Sequence, residues 1–134
     1  MIGMVIVTQG RLGAELRATL EHVMGCQSQL ELVSIDDTPE GERDRTSLAD
    51  AVRRADTGDG VVVLTDMFDP PTPDLAIPLG PMLEMIGGVN VPTLIKLASI
   101  RRGCCSVAEA ANAAQEAGRK HIRHCPEPIA RFSH

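Results

Sequence analysis

Aromatic residues are almost missing from this chain: they make up 1% of it, and neither tryptophan nor tyrosine occurs. Nucleic-acid modules that stack bases need aromatic side chains, so the scarcity argues against that class. Lysines and arginines number 13 against 18 acids, which leaves no positive excess to neutralise phosphates. The sequence therefore predicts no binding to DNA or RNA.

Long hydrophobic runs are also absent. No apolar stretch approaches the roughly 20 residues that a membrane span requires. The apolar first seven residues lack the basic start and the cleavage site of a signal peptide. The four cysteines include the neighbours Cys104 and Cys105 but form no Cys-x-x-Cys pair. We therefore expect a cytoplasmic protein that does not span the membrane and keeps its thiols free.

What the chain does have is apolar residues, 43% of its 134 positions, enough for one domain with an aliphatic core. We expect this domain to cover residues 1–125 and residues 126–134 to form a flexible tail. Hydrophobic periodicity predicts alternating strands and helices. The strands are expected at residues 2–7, 30–35, 61–64, 82–89 and 120–125, and the helices at 11–24, 42–55, from Thr72-Pro73, at 92–101 and at 106–118.

The spacing also predicts how these helices begin and which side chains they bury. Ser106 followed by Glu109 is the pattern of a capping box at the last helix. In the helix at 42–55, the apolar positions Leu48, Val52 and Ala55 are expected to face inward. In the first helix, the side chains expected on one apolar face are Leu12, Leu16, Leu20, Val23 and Met24.

Alternation with short connections predicts an α/β fold, a mostly parallel, doubly wound sheet flanked by helices. In such sheets, ligands bind beyond the carboxyl ends of the strands, where the strand order reverses. This rule selects two loops as the candidate site. They are residues 8–12, after the first strand, and residues 66–74, after the third.

Three segments at and beyond those loops resemble one known family. The first strand continues as Thr8-Gln9-Gly10 into a helix, the third strand ends in Thr65-Asp66, and residues 86–95 read Ile-Gly-Gly-Val-Asn-Val-Pro-Thr-Leu-Ile. In order and spacing, over roughly residues 1–102, these segments are similar to the enzyme IIA component of the mannose-type, PEP-dependent sugar phosphotransferase system.

The resemblance carries several expectations. It implies a phosphoryl carrier between HPr and an enzyme IIB, with no metal or organic cofactor. It also implies a homodimer in which a C-terminal strand, here residues 120–125, pairs with the partner's sheet. Gln9 and Asp66 would occupy the catalytic positions. Thr8, Gly10, Asp69 and Thr72 would occupy binding positions.

Gln9 stands where the family has Thr-His-Gly and keeps its phosphorylated histidine. A neutral imidazole nitrogen is a good nucleophile near neutral pH. The nitrogen lone pair of an amide is delocalised into the carbonyl group and cannot accept a phosphoryl group usefully. The residue at position 9 therefore predicts that the transfer step is lost.

The second loop points to the same loss. The family usually has Gly-Gly-Thr-Pro-Ser-Asn there, with N–H groups that can hold an anion, whereas this chain has Asp-Pro-Pro-Thr-Pro-Asp at residues 69–74. Proline has no N–H to donate, and two like charges about 4 Å apart repel by roughly 4 kcal/mol at an effective dielectric constant near 20. Rewriting this loop together with the histidine favours natural divergence over an engineered trap.

Three functions stay open at this point. The first is a working enzyme IIA. The second is a non-catalytic regulatory module that docks phosphotransferase-system partners. The third is a binder of a small ligand or metal, for which the acids near the strand ends are the candidates. A solvated turn is the favoured interpretation of those acids, which are Asp36, Asp37, Asp66 and Asp69.

The remaining polar residues favour no site. His22 is expected on an exposed part of the first helix. His121 and His124 would lie on opposite faces of a strand, which argues against a metal site with Cys125. Three arginines could form a docking surface for an acidic partner, but solvated side chains are the favoured interpretation. These are Arg11, Arg101 and Arg102.

Overall fold

The computed structural model describes residues 1–35, 41–67, 82–103 and 106–126. No helix within these ranges is both long enough and apolar enough to cross a membrane. The strands are β1 Gly3–Gln9, β2 Leu30–Ile35, β3 Val61–Thr65 and β4 Leu83–Ile86. The helices are α1 Leu12–Met24, α2 Gly41–Ala55, α3 Val91–Ile100 and α4 Val107–Lys120.

The four strands form one sheet in the order β2-β1-β3-β4, and every pairing is parallel. In this register Val7 lies opposite Thr65, and Thr8 lies opposite Ser34. The predicted α/β fold with a mostly parallel sheet is therefore confirmed. The carboxyl ends of all four strands meet at one edge of the sheet, which we call the carboxyl edge.

Helices cover the sheet on both faces because alternate side chains of each strand point to opposite sides. On one face, α1, α3 and α4 pack over a cluster that includes Met4, Ile6 and Leu64. On the other face, α2 packs over Val5 and Val63. Burial on both faces explains why β1 and β3 read as continuous apolar runs rather than alternating ones.

Inward positions were predicted correctly for α2 and only partly for α1. Leu48, Val52 and Ala55 are buried, as expected. In α1, Leu20 is buried and Leu16 packs against the core, but the two ends of the predicted apolar face are exposed. Leu12, Val23 and Met24 are 44%, 56% and 37% exposed.

The predicted N-terminus of the last helix is confirmed, but the hydrogen bond of its glutamate differs from that of a capping box. Ser106 Oγ accepts a hydrogen bond from the Glu109 N–H at 3.2 Å. The Ser106 hydroxyl then donates to Glu109 Oε1 at 3.1 Å, so the carboxylate meets the capping hydroxyl group. In an ideal capping box this carboxylate would instead accept the backbone N–H of the cap residue.

The predicted strand at residues 120–125 does not form within the single chain. Lys120 is the last residue of α4, and residues 122–126 have no regular structure. A strand forms only where another strand pairs with it, and the resemblance expects that pairing with the sheet of a second chain, so the exchanged strand stays a prediction. The helix expected from Thr72-Pro73 lies outside the described residues.

Arg101 is the second correction, because it is only 2% exposed and neither solvated nor available for docking. Its Nη1 donates to the carbonyl oxygens of Ile2 at 3.3 Å and Gln29 at 3.2 Å. Its Nη2 donates to Gln27 Oε1 at 2.9 Å and to the Ser28 carbonyl oxygen. Burial lowers the pKa of Arg101, and the neighbouring charge of Arg102 lowers it further. Arg101 therefore ties the end of α3 to the start of β1 at the amino edge of the sheet.

Candidate functional site

The sheet order places a reversal point between β1 and β3. From β1 the chain moves to β2 on one side and then to β3 on the other. In open parallel sheets, ligands bind in the crevice that such a reversal leaves beyond the carboxyl ends. The residues that leave β1 and β3 at this point are Thr8, Gln9, Gly10, Asp66 and Met67.

Thr8 is buried, and its side chain holds the start of α1. Its Oγ1 accepts a hydrogen bond from the Gly13 N–H at 2.7 Å. Arg11, at the N-cap position, makes no side-chain cap of its own. The first turn of the helix leaves N–H groups without intrahelical partners, and Thr8 satisfies one of them from the strand. A binding role for Thr8 stays a prediction.

Gly10 makes the turn that leaves β1. Its φ is +54°, in the left-handed region that glycine adopts without steric cost. Its carbonyl oxygen accepts a hydrogen bond from Ser34 Oγ at 2.8 Å, which fixes the turn to the end of β2. Ser34 was missed from the sequence, where its only signal is a polar residue within an apolar strand.

Gln9 is the last residue of β1, where it pairs with Ile35 of β2. Its side chain is exposed and makes no hydrogen bond to the described residues. The amide is thus presented to solvent between the anchored residues Thr8 and Gly10. A partner that approaches the carboxyl edge would meet it directly.

Asp66 follows the end of β3, one position beyond Thr65. It is half-buried, and its Oδ1 accepts the Met67 N–H at 3.0 Å. The Thr65 hydroxyl lies 3.1 Å from the Met67 carbonyl oxygen and 3.3 Å from Asp66 Oδ1, and its single proton goes to one of them. Because Val7 pairs with Thr65, Gln9 at the end of β1 and Asp66 just after the end of β3 lie on neighbouring strands at the carboxyl edge. The carboxylate is oriented by its own turn.

Asp69 and Thr72, also predicted as binding residues, lie outside the described residues. The same holds for the rest of the loop at 69–74 and for Asp36 and Asp37. Of the four acids considered for a divalent cation, only Asp66 is described. Within the described ranges, no group of three or more His, Cys, Asp or Glu side chains is arranged to hold a metal ion.

Of the histidines that the structure describes, His22 lies on α1, and His121 and His124 follow α4. His22 is exposed on the last turn of α1, as expected. His121 follows α4, and its Nδ1 donates to the Ala117 carbonyl oxygen at 2.9 Å. His124 is exposed in the irregular segment after the helix. The strand-based argument against a His121–His124 metal site no longer applies, because the strand does not form within the single chain.

The segment at 86–95 has a structural explanation. Asn90 is the N-cap of α3, and its Oδ1 accepts the N–H of Thr93 at 3.0 Å and the Thr93 hydroxyl at 2.7 Å. Its Nδ2 donates to the Gly118 carbonyl oxygen at 3.0 Å, which ties α3 to α4. The preceding Val89 N–H donates to the Thr65 carbonyl oxygen at 3.0 Å. The segment therefore connects the end of β3 to both helices.

A family described as "PTS system fructose IIA component" matches residues 3–115. Among solved structures, the chain is similar to the phosphotransferase system component EIIA from Streptococcus agalactiae, with a TM-score of 0.81, 18% identity, and coverage of 92% of this chain and 97% of that one. It is also similar to the mannose/sorbose specific IIA subunit from Enterococcus faecalis, with a TM-score of 0.80, 19% identity, and coverage of 95% and 96%.

A third similar structure is a sigma-54 interaction domain protein from Enterococcus faecalis, with a TM-score of 0.69, 18% identity, and coverage of 92% and 97%. A comparison with curated proteins gives no significant match. At these identities the structural likeness establishes the fold, and the family match covers most of the chain.

Proposed function

Because the chain belongs to the family of PTS fructose IIA components, we propose that it is a IIA-type module that still binds phosphotransferase-system proteins but no longer transfers phosphate. The observation that carries this proposal is the residue at the end of β1. The position is exposed and firmly held, yet it presents a glutamine amide.

The geometry around Gln9 supports a retained site frame without its nucleophile. Thr8 accepts a hydrogen bond from the start of α1. The turn at Gly10 is held by a hydrogen bond from the Ser34 hydroxyl group to the Gly10 carbonyl oxygen. A histidine at position 9 would project from the same place and attack a phosphoryl group through a ring nitrogen. An amide in that place offers hydrogen bonds only.

Asp66 fits the same interpretation. In the resembled family an acid after the third strand contacts the phosphorylated histidine, and Asp66 occupies that position here. Its carboxylate accepts the Met67 N–H instead. With no imidazole beside it, the carboxylate adds a negative charge next to the position that an incoming phosphoryl group would take, and this disfavours transfer.

The transfer half of the proposal is tested by incubating the protein with PEP, enzyme I and HPr and measuring its mass. We expect no gain of the roughly 80 Da that a phosphoryl group adds. An active IIA protein in the same mixture serves as the positive control. A phosphorylated product on the wild-type chain would refute the loss of transfer.

The binding half is tested by titrating the HPr and the enzyme IIB encoded in the same genome into the protein. The expected result is saturable binding of at least one of them. The family match supports this expectation, since both proteins are partners of IIA components. No binding of either partner, in either phosphorylation state, would contradict it.

A regulatory role is the second form of the same binding function. One protein of similar fold is a sigma-54 interaction domain protein, so the fold is not confined to proteins named as phosphotransferase components. A module that binds a partner without discharging it would act as a decoy. Competition is the discriminating measurement: the protein should slow phosphoryl transfer between HPr and an active IIA protein.

The homodimer expected from the resemblance stays a prediction. The end strand β4 has a neighbour on one side in the described sheet, and its side chains Leu83, Glu84 and Met85 are half-buried. The particle mass in solution, measured by light scattering during gel filtration, distinguishes a monomer from a dimer. A monomeric mass at every protein concentration measured would contradict the predicted homodimer.

A further inference from the structure

The ends of β1 and β3 place a carboxylate beside a neutral amide. Val7 lies opposite Thr65 in the parallel register, so Thr8 and Asp66 follow as neighbours at the carboxyl edge. Neighbouring strands are about 4.8 Å apart. Gln9 comes directly after Thr8 and is exposed, so a group that a partner brings to Gln9 also approaches the Asp66 carboxylate.

The charge of Asp66 is not balanced by a cation. Among the residues that the structure describes, no lysine, arginine or histidine makes an ion pair with it. Its hydrogen bonds come from the Met67 N–H and, in part, from the Thr65 hydroxyl group. Both donors are neutral, so they orient the carboxylate and leave its net charge in place. Because Asp66 is half-buried, solvent screens this charge less than that of a fully exposed acid.

The exposed charges at the start of α1 do not replace the missing cation. Arg11 is the N-cap residue of α1, but it is exposed and makes no ion pair with a described residue. Glu15, in the first turn of the same helix, is also exposed and has the opposite sign. Water and salt screen such surface charges strongly. We therefore expect the half-buried Asp66 to contribute most of the fixed charge near Gln9.

Hydrogen-bond donors at this edge that could hold an anion are already used inside the molecule. The Ser34 hydroxyl group donates to the Gly10 carbonyl oxygen at 2.8 Å, and the Gly13 N–H donates to Thr8 Oγ1 at 2.7 Å. A phosphoryl group would have to displace these hydrogen bonds or do without them. It also carries more than one negative charge near neutral pH. The edge therefore suits a neutral group better than a phosphoryl group.

We infer that the site distinguishes the phosphorylation state of its partner and takes the unphosphorylated form, with Asp66 as the residue that sets this preference. The inference rests on the proposed binding function. In the resembled family the acid at this position contacts a histidine, whose ring can carry a positive charge beside it. The Gln9 amide donates hydrogen bonds but carries no charge, so the negative charge of Asp66 stays uncompensated. The module is therefore occupied when HPr is unphosphorylated and free when HPr is phosphorylated.

The test titrates the full chain with HPr and with phospho-HPr, kept phosphorylated by PEP and enzyme I, at low and high salt. We expect unphosphorylated HPr to bind at least about fivefold more tightly at low salt, and this ratio to fall at high salt. Asp66→Asn keeps an acceptor for the Met67 N–H but removes the charge, so its ratio should be less than about twofold. Gln9→Glu adds a charge without changing the shape of the side chain, and its ratio should exceed that of wild type.

The matched control is Asp50→Asn, the same substitution at an aspartate on α2 whose ion-pair partner Arg53 lies on the same helix, and it should keep the wild-type ratio. Because Gln9→Glu changes an exposed side chain, it remains a test if Asp66→Asn fails to fold.

Each result decides between the two proposals. Equal binding of both forms of HPr by wild type, or tighter binding of phospho-HPr, overturns the inference while the proposed function stands. A preference that Asp66→Asn retains in full overturns the role of Asp66. If wild type binds enzyme IIB but neither form of HPr, the inference fails and the proposed function stands. If it binds neither protein, both fail.

Discussion

Thr8 Oγ1 accepts the N–H of Gly13 at 2.7 Å, so a strand side chain caps the helix that follows it. Gly13 permits this approach because a Cβ at that position would lie 2.8 Å from the same oxygen atom. The pair fixes the start of α1 relative to the end of β1. Gln9 therefore lies between two residues that hydrogen bonds hold in place. Thr8 is bonded to Gly13, and Gly10 is bonded to Ser34.

Replacing Thr8 by valine should lower the free energy of unfolding by about 1–2 kcal/mol. Valine keeps the shape of threonine but leaves the buried Gly13 N–H without its acceptor. The change is measured by urea unfolding. The control is Thr8→Ser, which retains the hydroxyl and should recover part of the loss. If the valine and serine variants are equally stable, the hydrogen bond is not what stabilises this turn.

Arg101→Met should destabilise the fold by about 2–4 kcal/mol, because the hydrogen bonds donated by this buried side chain are lost. The carbonyl groups that accept them belong to Ile2, Ser28 and Gln29. Methionine fills part of the volume, so packing loss alone would cost less. The measurement is again the free energy of unfolding in urea.

The control for that prediction is the neighbouring residue. Arg102 is exposed, so Arg102→Met should change stability by no more than about 0.5 kcal/mol. Equal effects of the two substitutions would mean that general charge, and not the buried hydrogen bonds of Arg101, determines the result.

Arg101 also illustrates what local sequence patterns could not predict. The spacing of apolar residues correctly indicated most of the strands and helices, since periodicity reflects which face each element buries. The partners of Arg101 lie 72 to 99 residues earlier in the chain. No local pattern contains that separation, so the sequence alone favours a solvated side chain at Arg101.

Residues 120–125 show the second limit. Their composition allows a strand, but a strand also needs a neighbour, and here the side chains of His121 and Arg123 bond to the end of α4. The candidate site was predictable to the level of its loops, because the reversal rule depends only on element order. The hydrogen bonds within the site could not be predicted, since the contacts of Thr8 and Asp66 depend on turn geometry.

The free energy of unfolding should decrease at acidic pH as Glu21 becomes protonated. Its Oε2 accepts the Gln27 N–H at 2.8 Å, and its Oε1 lies 3.3 Å from Arg17 Nε. The hydrogen bond from Gln27, with a smaller contribution from Arg17, lowers the pKa of Glu21 below its ordinary value of 4.5. Because the folded-state pKa is the lower one, the stabilisation is complete above the unfolded value and disappears as pH falls through the folded value.

The measurement compares wild type with Glu21→Gln in urea at several pH values. The stability difference should be largest near neutral pH and shrink below pH 4.5, the ordinary value from which the folded pKa is lowered. Glu116→Gln is the control, since the only ion pair of Glu116 with a described residue is the 3.9 Å contact with Arg119. An NMR titration midpoint for Glu21 at or above the ordinary value would refute the argument.

Asn90→Ala should cost about 2–3 kcal/mol, more than the loss of an ordinary helix cap. It removes both the cap of α3 and the donor to Gly118, so the hydrogen bond between the two helices is lost as well. Ser106→Ala removes only the cap of the exposed start of α4 and should cost about 1 kcal/mol. Urea unfolding of both variants gives the comparison, and a smaller effect for Asn90 than for Ser106 would contradict it.

Gly118→Ala tests the same contact from the other helix. An added Cβ would overlap Thr93 Oγ1 and lie 3.0 Å from Asn90 Oδ1, so the helices must separate. The Gly118→Ala variant should therefore have a lower free energy of unfolding than wild type, even though alanine is a better helix former than glycine by about 1 kcal/mol.

Gln9→His alone should not restore phosphorylation by PEP, enzyme I and HPr. The histidine would supply the missing nucleophile at an exposed position. The loop at 69–74 would still have three prolines, which lack N–H donors, and two aspartates. A carboxylate near a phosphoryl group is disfavoured by roughly 4 kcal/mol at about 4 Å, so a phosphohistidine here should not accumulate.

The measurement is the intact mass of the variant after incubation, with its thermal midpoint as a check on folding. The matched variant combines Gln9→His with the family's Gly-Gly-Thr-Pro-Ser-Asn in place of residues 69–74, and it should gain about 80 Da. Phosphorylation of the single variant would assign the loss of transfer to position 9 alone. If neither variant is phosphorylated, the cause lies elsewhere in the site.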